Sequence, residues 1–338
     1  MEQAQPDAGE AEAREPDAGE ADGRSAWTRG RVLAAFSAVT AGLLVFHRAV
    51  PNGVGRLGSL LETFLPWLGL VVIVLLVLAL LRRSATALLA LLLPVAAWTY
   101  QFGGLLLPAD ESGTHGLVGT HGLVVVQHNV SDVNPDPART ARTLADAKPD
   151  LIAMEELEPP ALPAYEKTLA SGYPYHAVQG TVGLWSRYPL IDVRLLDIKP
   201  PGIAETWSRG LRAVAHTPNG QVAVYVAHLP SVRVRASGLA SALRDESADR
   251  LGKAIAAENV KTVILLGDLN GTVDDRGLSP LTERLDEAER GLAFSFPASF
   301  PLARIDQVMV RSATVRHIRA LPATGSDHLP VAAHITLD

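Results

Sequence analysis

The residues able to do chemistry in this 338-residue chain share one habit: each closes or opens a short apolar run. Val124-Val125-Val126-Gln127-His128-Asn129 ends on an amide, and Asp150-Leu151-Ile152-Ala153-Met154-Glu155-Glu156 ends on two carboxylates. Val224-Tyr225-Val226-Ala227-His228 ends on an imidazole. Val263-Ile264-Leu265-Leu266-Gly267-Asp268-Leu269-Asn270 ends on a carboxylate and an amide, two residues apart. Arg304-Ile305-Asp306 opens a run, and Ser326-Asp327-His328 precedes the last one. Apolar runs of this length read as buried strands, and packing them side by side brings their polar ends to one rim.

Glu, Asp and the Asn amide oxygen are hard donors that suit Mg²⁺ or Mn²⁺. Two histidines and an arginine add donors for phosphate oxygens and acid/base capacity. An Asp beside an Asn can orient a water and a phosphoryl oxygen together. The set reads as metal-assisted attack on phosphorus. No Gly-rich Walker loop, His-Glu-x-x-His or Gly-x-Ser-x-Gly is present, so those chemistries lose ground. The chain has no cysteine, which excludes thiol catalysis, thiolate zinc sites and disulfides.

The elements that must hold these residues follow from hydrophobic periodicity. Strands are expected at 123–127, 151–154, 182–185, 211–216, 222–228, 262–266, 305–310 and 331–336. Helices are expected at 135–147 and, as one amphipathic element, 236–259. Strands and helices alternate with hairpins among them, so residues 123–338 predict an α/β domain with mixed sheets.

Upstream the composition changes. The chain is 48% apolar with a mean hydropathy of +0.16, and the excess is concentrated at 32–108. Glu62 and Arg82 bracket 19 uncharged residues, Arg83 and Asp110 bracket 26, and Arg31 and Arg48 bracket 16. A bilayer crossing needs about 20 apolar residues in helix. Three transmembrane helices are expected, at about 32–50, 63–81 and 84–107. Residues 1–30 are acidic, Pro/Gly/Ala-rich and carry a near-duplicate (Pro6-Asp7-Ala8-Gly9-Glu10-Ala11 and Pro16-Asp17-Ala18-Gly19-Glu20-Ala21), as in a disordered tail. The Gly/Thr/Ser/His-rich stretch 109–122 reads as a linker. Arg24, Arg29 and Arg31 before the first span, with Arg82 and Arg83 between the second and third, put the N-terminus inside and the last domain outside the membrane. The net charge is −6, and the part after the spans is also acidic, which disfavours a nucleic-acid partner.

Seven blocks, in order, resemble the DNase I-like endonuclease/exonuclease/phosphatase superfamily. They are Gln127-His128-Asn129-Val130, Pro149 to Leu157, Gly183-Leu184-Trp185-Ser186-Arg187-Tyr188-Pro189-Leu190, Ala227-His228-Leu229-Pro230, Gly267-Asp268-Leu269-Asn270, Arg304-Ile305-Asp306 and Ser326-Asp327-His328-Leu329-Pro330. The resemblance implies a four-layer α/β sandwich, two packed mixed sheets flanked by helices. It implies that Glu156 binds Mg²⁺ or Mn²⁺ with Asn129 and Asp327 around it, and that Glu155 is not a ligand. Asp268 would orient or deprotonate the attacking water, and Asn270 would hold a phosphate oxygen. His328 would contact the phosphate, oriented by Asp306. His228 matches the family's second histidine, although Gln179-Gly180-Thr181 lacks the acid that usually accompanies it. Arg209, in Trp207-Ser208-Arg209-Gly210, sits where some members place a phosphate-binding arginine. Arg233 and Arg235 read as a solvated face.

The three-span region joined to this domain resembles the actinobacterial membrane phosphatases of the VanJ type, associated with teicoplanin resistance. That resemblance implies a polyprenyl (undecaprenyl) pyrophosphate as substrate. Two other readings stay open from the sequence: an anchored extracellular nuclease or phospholipid phosphodiesterase, and a non-catalytic membrane protein that binds cell-wall precursors or glycopeptide.

Overall fold

The computed structural model describes residues 30–107 and 122–337. The acidic tail and the linker therefore lie outside the described residues, but for the last residue of each. The chain forms two compact units. One comprises the described residues to Val45 together with Trp67–Trp98, and the other Phe46–Pro66 and the described residues from Thr99 onward.

The first unit is built from helices α1 (Arg31–Phe46), α3 (Leu68–Leu81) and most of α4 (Ala85–Phe102). Val72, Leu75 and Ala79 of α3 pack on Ala87 and Leu91 of α4, with Leu33 and Leu88 beside them. The other faces stay apolar and open, as at Leu70, Ile73, Val74 and Leu80. A helix that is apolar on every side belongs in hydrocarbon rather than water. Two helical stretches, Arg31–Ala49 and Ala85–Leu106, are long and apolar enough to cross a membrane. The expected middle span is not one straight helix. It is a broken pair, Leu57–Thr63 (α2) and Leu65–Leu81, bent by 67°. A short 3₁₀ turn at Leu65–Trp67, carrying Pro66, separates the two pieces, as expected where proline removes an N–H from the ladder.

The second unit is a four-layer sandwich. One sheet has six strands in the order β12-β13-β1-β2-β4-β3. These are β1 (Gly122–Asn129), β2 (Leu151–Glu155), β3 (Tyr175–Gln179), β4 (Val182–Ser186), β12 (Ala313–Ala320) and β13 (Val331–Leu337). The other has five, in the order β11-β10-β7-β6-β5: β5 (Leu190–Leu195), β6 (Gly210–Thr217), β7 (Gly220–Ala227), β10 (Thr262–Asp268) and β11 (Asp306–Arg311). Each sheet contains one parallel pair, β1 with β2 and β7 with β10. Alternation sorts every strand. Val125, Ala153, Val224, Ile264 and Val308 point into the inter-sheet core. Their neighbours Val126, Ile152 and Met154 meet α5 (Pro137–Asp146) and α6 (Leu162–Leu169). Val263 and Leu265 meet α7 (Ala242–Ala256).

The helix expected over 236–259 starts later. Residues 233–240 instead form a hairpin, β8 (Arg233–Arg235) and β9 (Gly238–Ala240), before α7 begins at Ala242. Gly238 explains the difference. Its φ is +111°, and a Cβ there would lie 2.0 Å from the carbonyl oxygen of Gly55, so neither helix nor any larger residue fits. Leu239 N–H donates to that same Gly55 oxygen at 2.9 Å.

Gly55 belongs to the segment between the first two apolar helices, and this segment is fastened to the sandwich. Glu62 of α2 is fully buried. Its carboxylate accepts from the Arg276 backbone N–H (3.0 Å), Nε (2.8 Å) and Nη2 (2.8 Å), and pairs with His47 Nδ1 at 3.1 Å. Arg276 also caps the carbonyls of Val50 and His47, each at 2.9 Å. Arg56 reaches Asp245 and Ser241 of the α7 start. Removing one partner of such a pair leaves a charge buried and unpaired. Arg276→Ala is therefore expected to cost about 3–5 kcal/mol, read as a loss of thermal stability in detergent, whereas Arg284→Ala on the exposed surface should change little.

Candidate active site

The strand phase that fills the core also fills the site. Gln127 and Asn129 continue the inward set of β1, Glu155 that of β2, His228 that of β7, Asp268 that of β10, and Asp306 that of β11. The carboxyl ends of the two parallel pairs meet at one rim, the position where open α/β sheets characteristically bind ligands. Asp268 and Asp306 are register partners across β10 and β11. Asn129 Nδ2 bridges the two sheets, donating to Asp268 Oδ2 at 3.1 Å and Glu156 Oε1 at 3.2 Å. Glu156 should by alternation face away from Glu155 and the core. It lines the site after its backbone takes a left-handed turn at the strand end, φ 59°, a conformation that costs a non-glycine residue some free energy.

The histidines play different parts. His328 Nδ1 lies 2.8 Å from Asp306 Oδ2, and its Nε2 lies 3.8 Å from Asp268 Oδ2. Burial disfavours its charge, but the Asp306 and Asp268 carboxylates outweigh that and raise it to about 10. It is an imidazolium at neutral pH, a cationic donor aimed at the cavity. Burial also works against ionised Asp306, yet the His328 charge holds it below the usual carboxylate value. His228 is held neutral: burial and then the neighbouring Arg209 lower it to about 3. Arg209 Nη1 stands 3.2 Å from its Nδ1. The group beside His228 Nδ1 is thus a guanidinium cation, not an acid. Glu156 Oε1 and Asp268 Oδ2 are 3.8 and 3.6 Å from His228 Nε2. The third, His128, faces away from the site to Thr324 Oγ1 at 2.7 Å, and burial lowers it to about 3.

Burial pushes Asp268 up to about 7. Its Oδ1 accepts the Asn270 backbone N–H at 2.9 Å, an Asx turn that holds Asn270 at φ 48°. Asn270 Nδ2 donates to Leu229 O at 2.9 Å, and Arg244 grips Asn270 O at 3.2 Å. Behind Asp268, Glu155 is fully buried, and desolvation followed by Asp306 and Asp268 raises it well above the ordinary value. Its protonated form is favoured. Gln127 Nε2 donates both to Glu155 Oε2 at 2.7 Å and to Asp306 Oδ1 at 3.1 Å. This Gln127–Glu155 support was not singled out from the sequence, although its inward strand phase marks it.

Glu156, Asp268, Asn270, Asp327, His328 and Asn129 line one cavity of about 440 Å³. Arg209 lines an adjoining groove with Arg56, Arg233 and Arg235, so these last two arginines share a concave surface rather than standing apart. A divalent cation fits the oxygen set. The Glu156 and Asp268 carboxylates converge on one amide, and hard oxygen donors of this kind suit Mg²⁺ or Mn²⁺. Asp268, Asp306 and His328 also offer donor atoms within 4.8 Å of one another, but His328 Nδ1 and Asp306 already satisfy each other. Asn129 presents its NH₂ group to the carboxylates, because its Oδ1 accepts from Ser131 N–H at 3.1 Å. In this arrangement it organises the acids as a donor.

A family model described as "Endonuclease/Exonuclease/phosphatase family" matches residues 123–328. The chain belongs to this family. No curated protein matches the chain. Among solved structures, an endonuclease/exonuclease/phosphatase from Beutenbergia cavernae is 20% identical, with a TM-score of 0.52 over 64% of this chain and 72% of that one. A functionally unknown conserved protein from Enterococcus faecalis is 14% identical, with a TM-score of 0.52 over 64% of this chain and 100% of that one. Beta toxin from Staphylococcus aureus is 15% identical, with a TM-score of 0.51 over 62% and 99%. These similarities show the shared fold. Family members are hydrolases of phosphoric esters and commonly use divalent metal ions.

The electrostatics give a pH test. A carboxylate accepts a proton only when ionised, so if Asp268 serves as the base, turnover should fall as pH drops through about 7. His328 stays charged until about pH 10, so the alkaline side should be flat. Asp306→Asn removes the main support of that charge. Its pH–rate profile should gain a falling limb near the ordinary histidine value of about 6.5, whereas a profile unchanged in shape would remove His328 from the role of charged donor.

Proposed function

We propose that this endonuclease/exonuclease/phosphatase family member is a membrane-anchored, metal-dependent phosphatase. Its substrate is a polyprenyl (undecaprenyl) pyrophosphate, converted to the monophosphate on the outer side of a bacterial membrane, as in lipid-carrier recycling and teicoplanin resistance of the VanJ type. One observation carries the reading: a phosphoester site stands in the same chain as helices apolar enough to cross a bilayer. The acidic balance of the later part of the chain disfavours a polyanionic nucleic acid.

Topology adds support. Phe46–Pro66 and the residues from Thr99 belong to one compact unit, so they lie on one side of any membrane. Crossings by Arg31–Ala49 and Ala85–Leu106 alone would put them on opposite sides. A third crossing by Leu65–Leu81, the longer arm of the bent pair, removes the conflict and leaves the Arg82–Arg83 turn on the side opposite the catalytic unit. Arginine in that turn marks it as cytoplasmic.

The residues divide the work. Asp268 aligns the attacking water with Oδ2, which also accepts from Asn129 Nδ2, while Oδ1 is held by Asn270 N–H. The His328 imidazolium, fixed by Asp306, donates to a phosphoryl oxygen where negative charge grows. Asn270 keeps a second amide hydrogen for another oxygen, and Arg209 stands beside His228 at the edge of the site. A cation held by Glu156, with Asp268 and Asp327 around it, would supply further charge for the phosphoryl group, while Asn129 positions the two carboxylates as a donor.

Purified full-length protein should release inorganic phosphate from a long-chain prenyl diphosphate with Mg²⁺ and not with EDTA. Glu156→Ala should lower the rate on the order of a hundredfold or more. Cleavage of phospholipid or plasmid instead would transfer the function to a diesterase. Orientation is tested on the cysteine-free chain. A membrane-impermeant maleimide should label Glu205→Cys, whose side chain is 95% exposed, in intact cells, and spare Gln5→Cys in the tail.

A further inference from the structure

The active-site cavity does not end at its polar residues. It continues between Phe64 at the end of α2 and the β8–β9 hairpin, where Val232, Val234, Leu239 and Leu302 complete an apolar wall. Phe64 is 39% exposed and Val234 is 66% exposed, so both present apolar surface that the fold itself does not cover. Such patches beside a polar site mark ligand contacts. The wall is rigid. The Glu62–Arg276 pair lies two residues from Phe64, and the Gly55–Gly238 contact fastens the hairpin to the same segment.

We propose that Phe64, Val234 and Leu239 form an apolar subsite for the first part of the substrate's hydrocarbon chain, which the α-phosphate separates from the scissile terminal phosphoryl group. The proposal rests on the reading of the site as a lipid phosphatase and names the residues that select the lipid. Two features favour substrate hydrocarbon as the occupant. The wall is continuous with the carboxylate and histidine end of one 440 Å³ cavity, which is far larger than a phosphoryl group needs. Val234 also stands between Arg233 and Arg235, both of which line the adjoining basic groove, so apolar and cationic surfaces meet as an amphiphile with an anionic head requires. A phosphate ester with a bulky polar alcohol would leave Phe64 and Val234 against water and its own polar groups unpaired.

The test is binding as a function of chain length. Alkyl phosphates from butyl to decyl are titrated calorimetrically into the full-length protein in nanodiscs, with empty nanodiscs subtracted. Affinity should climb with each added pair of carbons, on the order of tenfold or more across the series. Phe64→Ser and Val234→Ser should flatten that slope, losing more affinity for decyl than for butyl phosphate, and Phe64→Leu should restore it. A slope that is flat in the wild type, or equally steep in the serine variants, overturns the proposal. The two readings fail separately. A steep slope without release of phosphate from prenyl diphosphate keeps the subsite and retires that substrate. Release with a flat slope keeps the phosphatase and retires the subsite.

Discussion

The site depends on one constraint: three carboxylic acids, Glu155, Asp268 and Asp306, are buried together between two sheets. In a medium of low dielectric they cannot all be ionised without compensation. The structure gives each a different solution. The His328 charge favours the ionised form of Asp306, desolvation favours the protonated form of Glu155, and burial pushes Asp268 up to about 7. Gln127 ties Glu155 to Asp306, and Asn129 ties Asp268 to Glu156. Any change to one acid therefore shifts the protons on the others. The proposed chemistry draws on that distribution: a carboxylate close to titration for water, and a fixed cation for phosphate.

The burial has a simple origin. Strands with a period of two fill the inter-sheet core with Val, Ile, Leu and Ala until the last turn of the pleat, where the same inward positions become polar. The two parallel pairs then aim four strand ends at one rim. The arrangement costs stability, because each acid displaces an apolar side chain from a core position. The apolar layers on both sides of each sheet offset this cost.

Much of this was legible in the sequence. The α/β sandwich, most of its strands and the cluster of strand-end acids, amides and histidines all follow from apolar runs and what terminates them. What escaped has physical reasons. β5 is an edge strand whose exposed side chains Asp192 and Arg194 interrupt any apolar pattern. The hairpin inside the expected helix 236–259 exists because Gly238 meets a backbone 183 positions away at Gly55 (238 against 55), which no local pattern records. The Asn129 amide orientation is decided by one backbone N–H, that of Ser131. The missing acid beside His228 was visible as an absence, but the placing of Arg209 there was a matter of register: His228 N–H pairs with Arg209 O at 2.9 Å across β6 and β7.

Glu62 shows how far a residue's meaning depends on what folds against it. It is the lone acid between Arg24 and Asp110, and in the sequence it does no more than mark where an apolar stretch begins. In the structure it is buried under the guanidinium of Arg276, and the two residues after it, Thr63 and Phe64, line the catalytic cavity. The end of α2 and a wall of the cavity are therefore the same few residues. A shift of α2 along its axis would carry Phe64 out of the cavity and Glu62 away from its partner. The ion pair fixes both registers at once, which gives a buried charge a use beyond the modest net stability such pairs usually contribute.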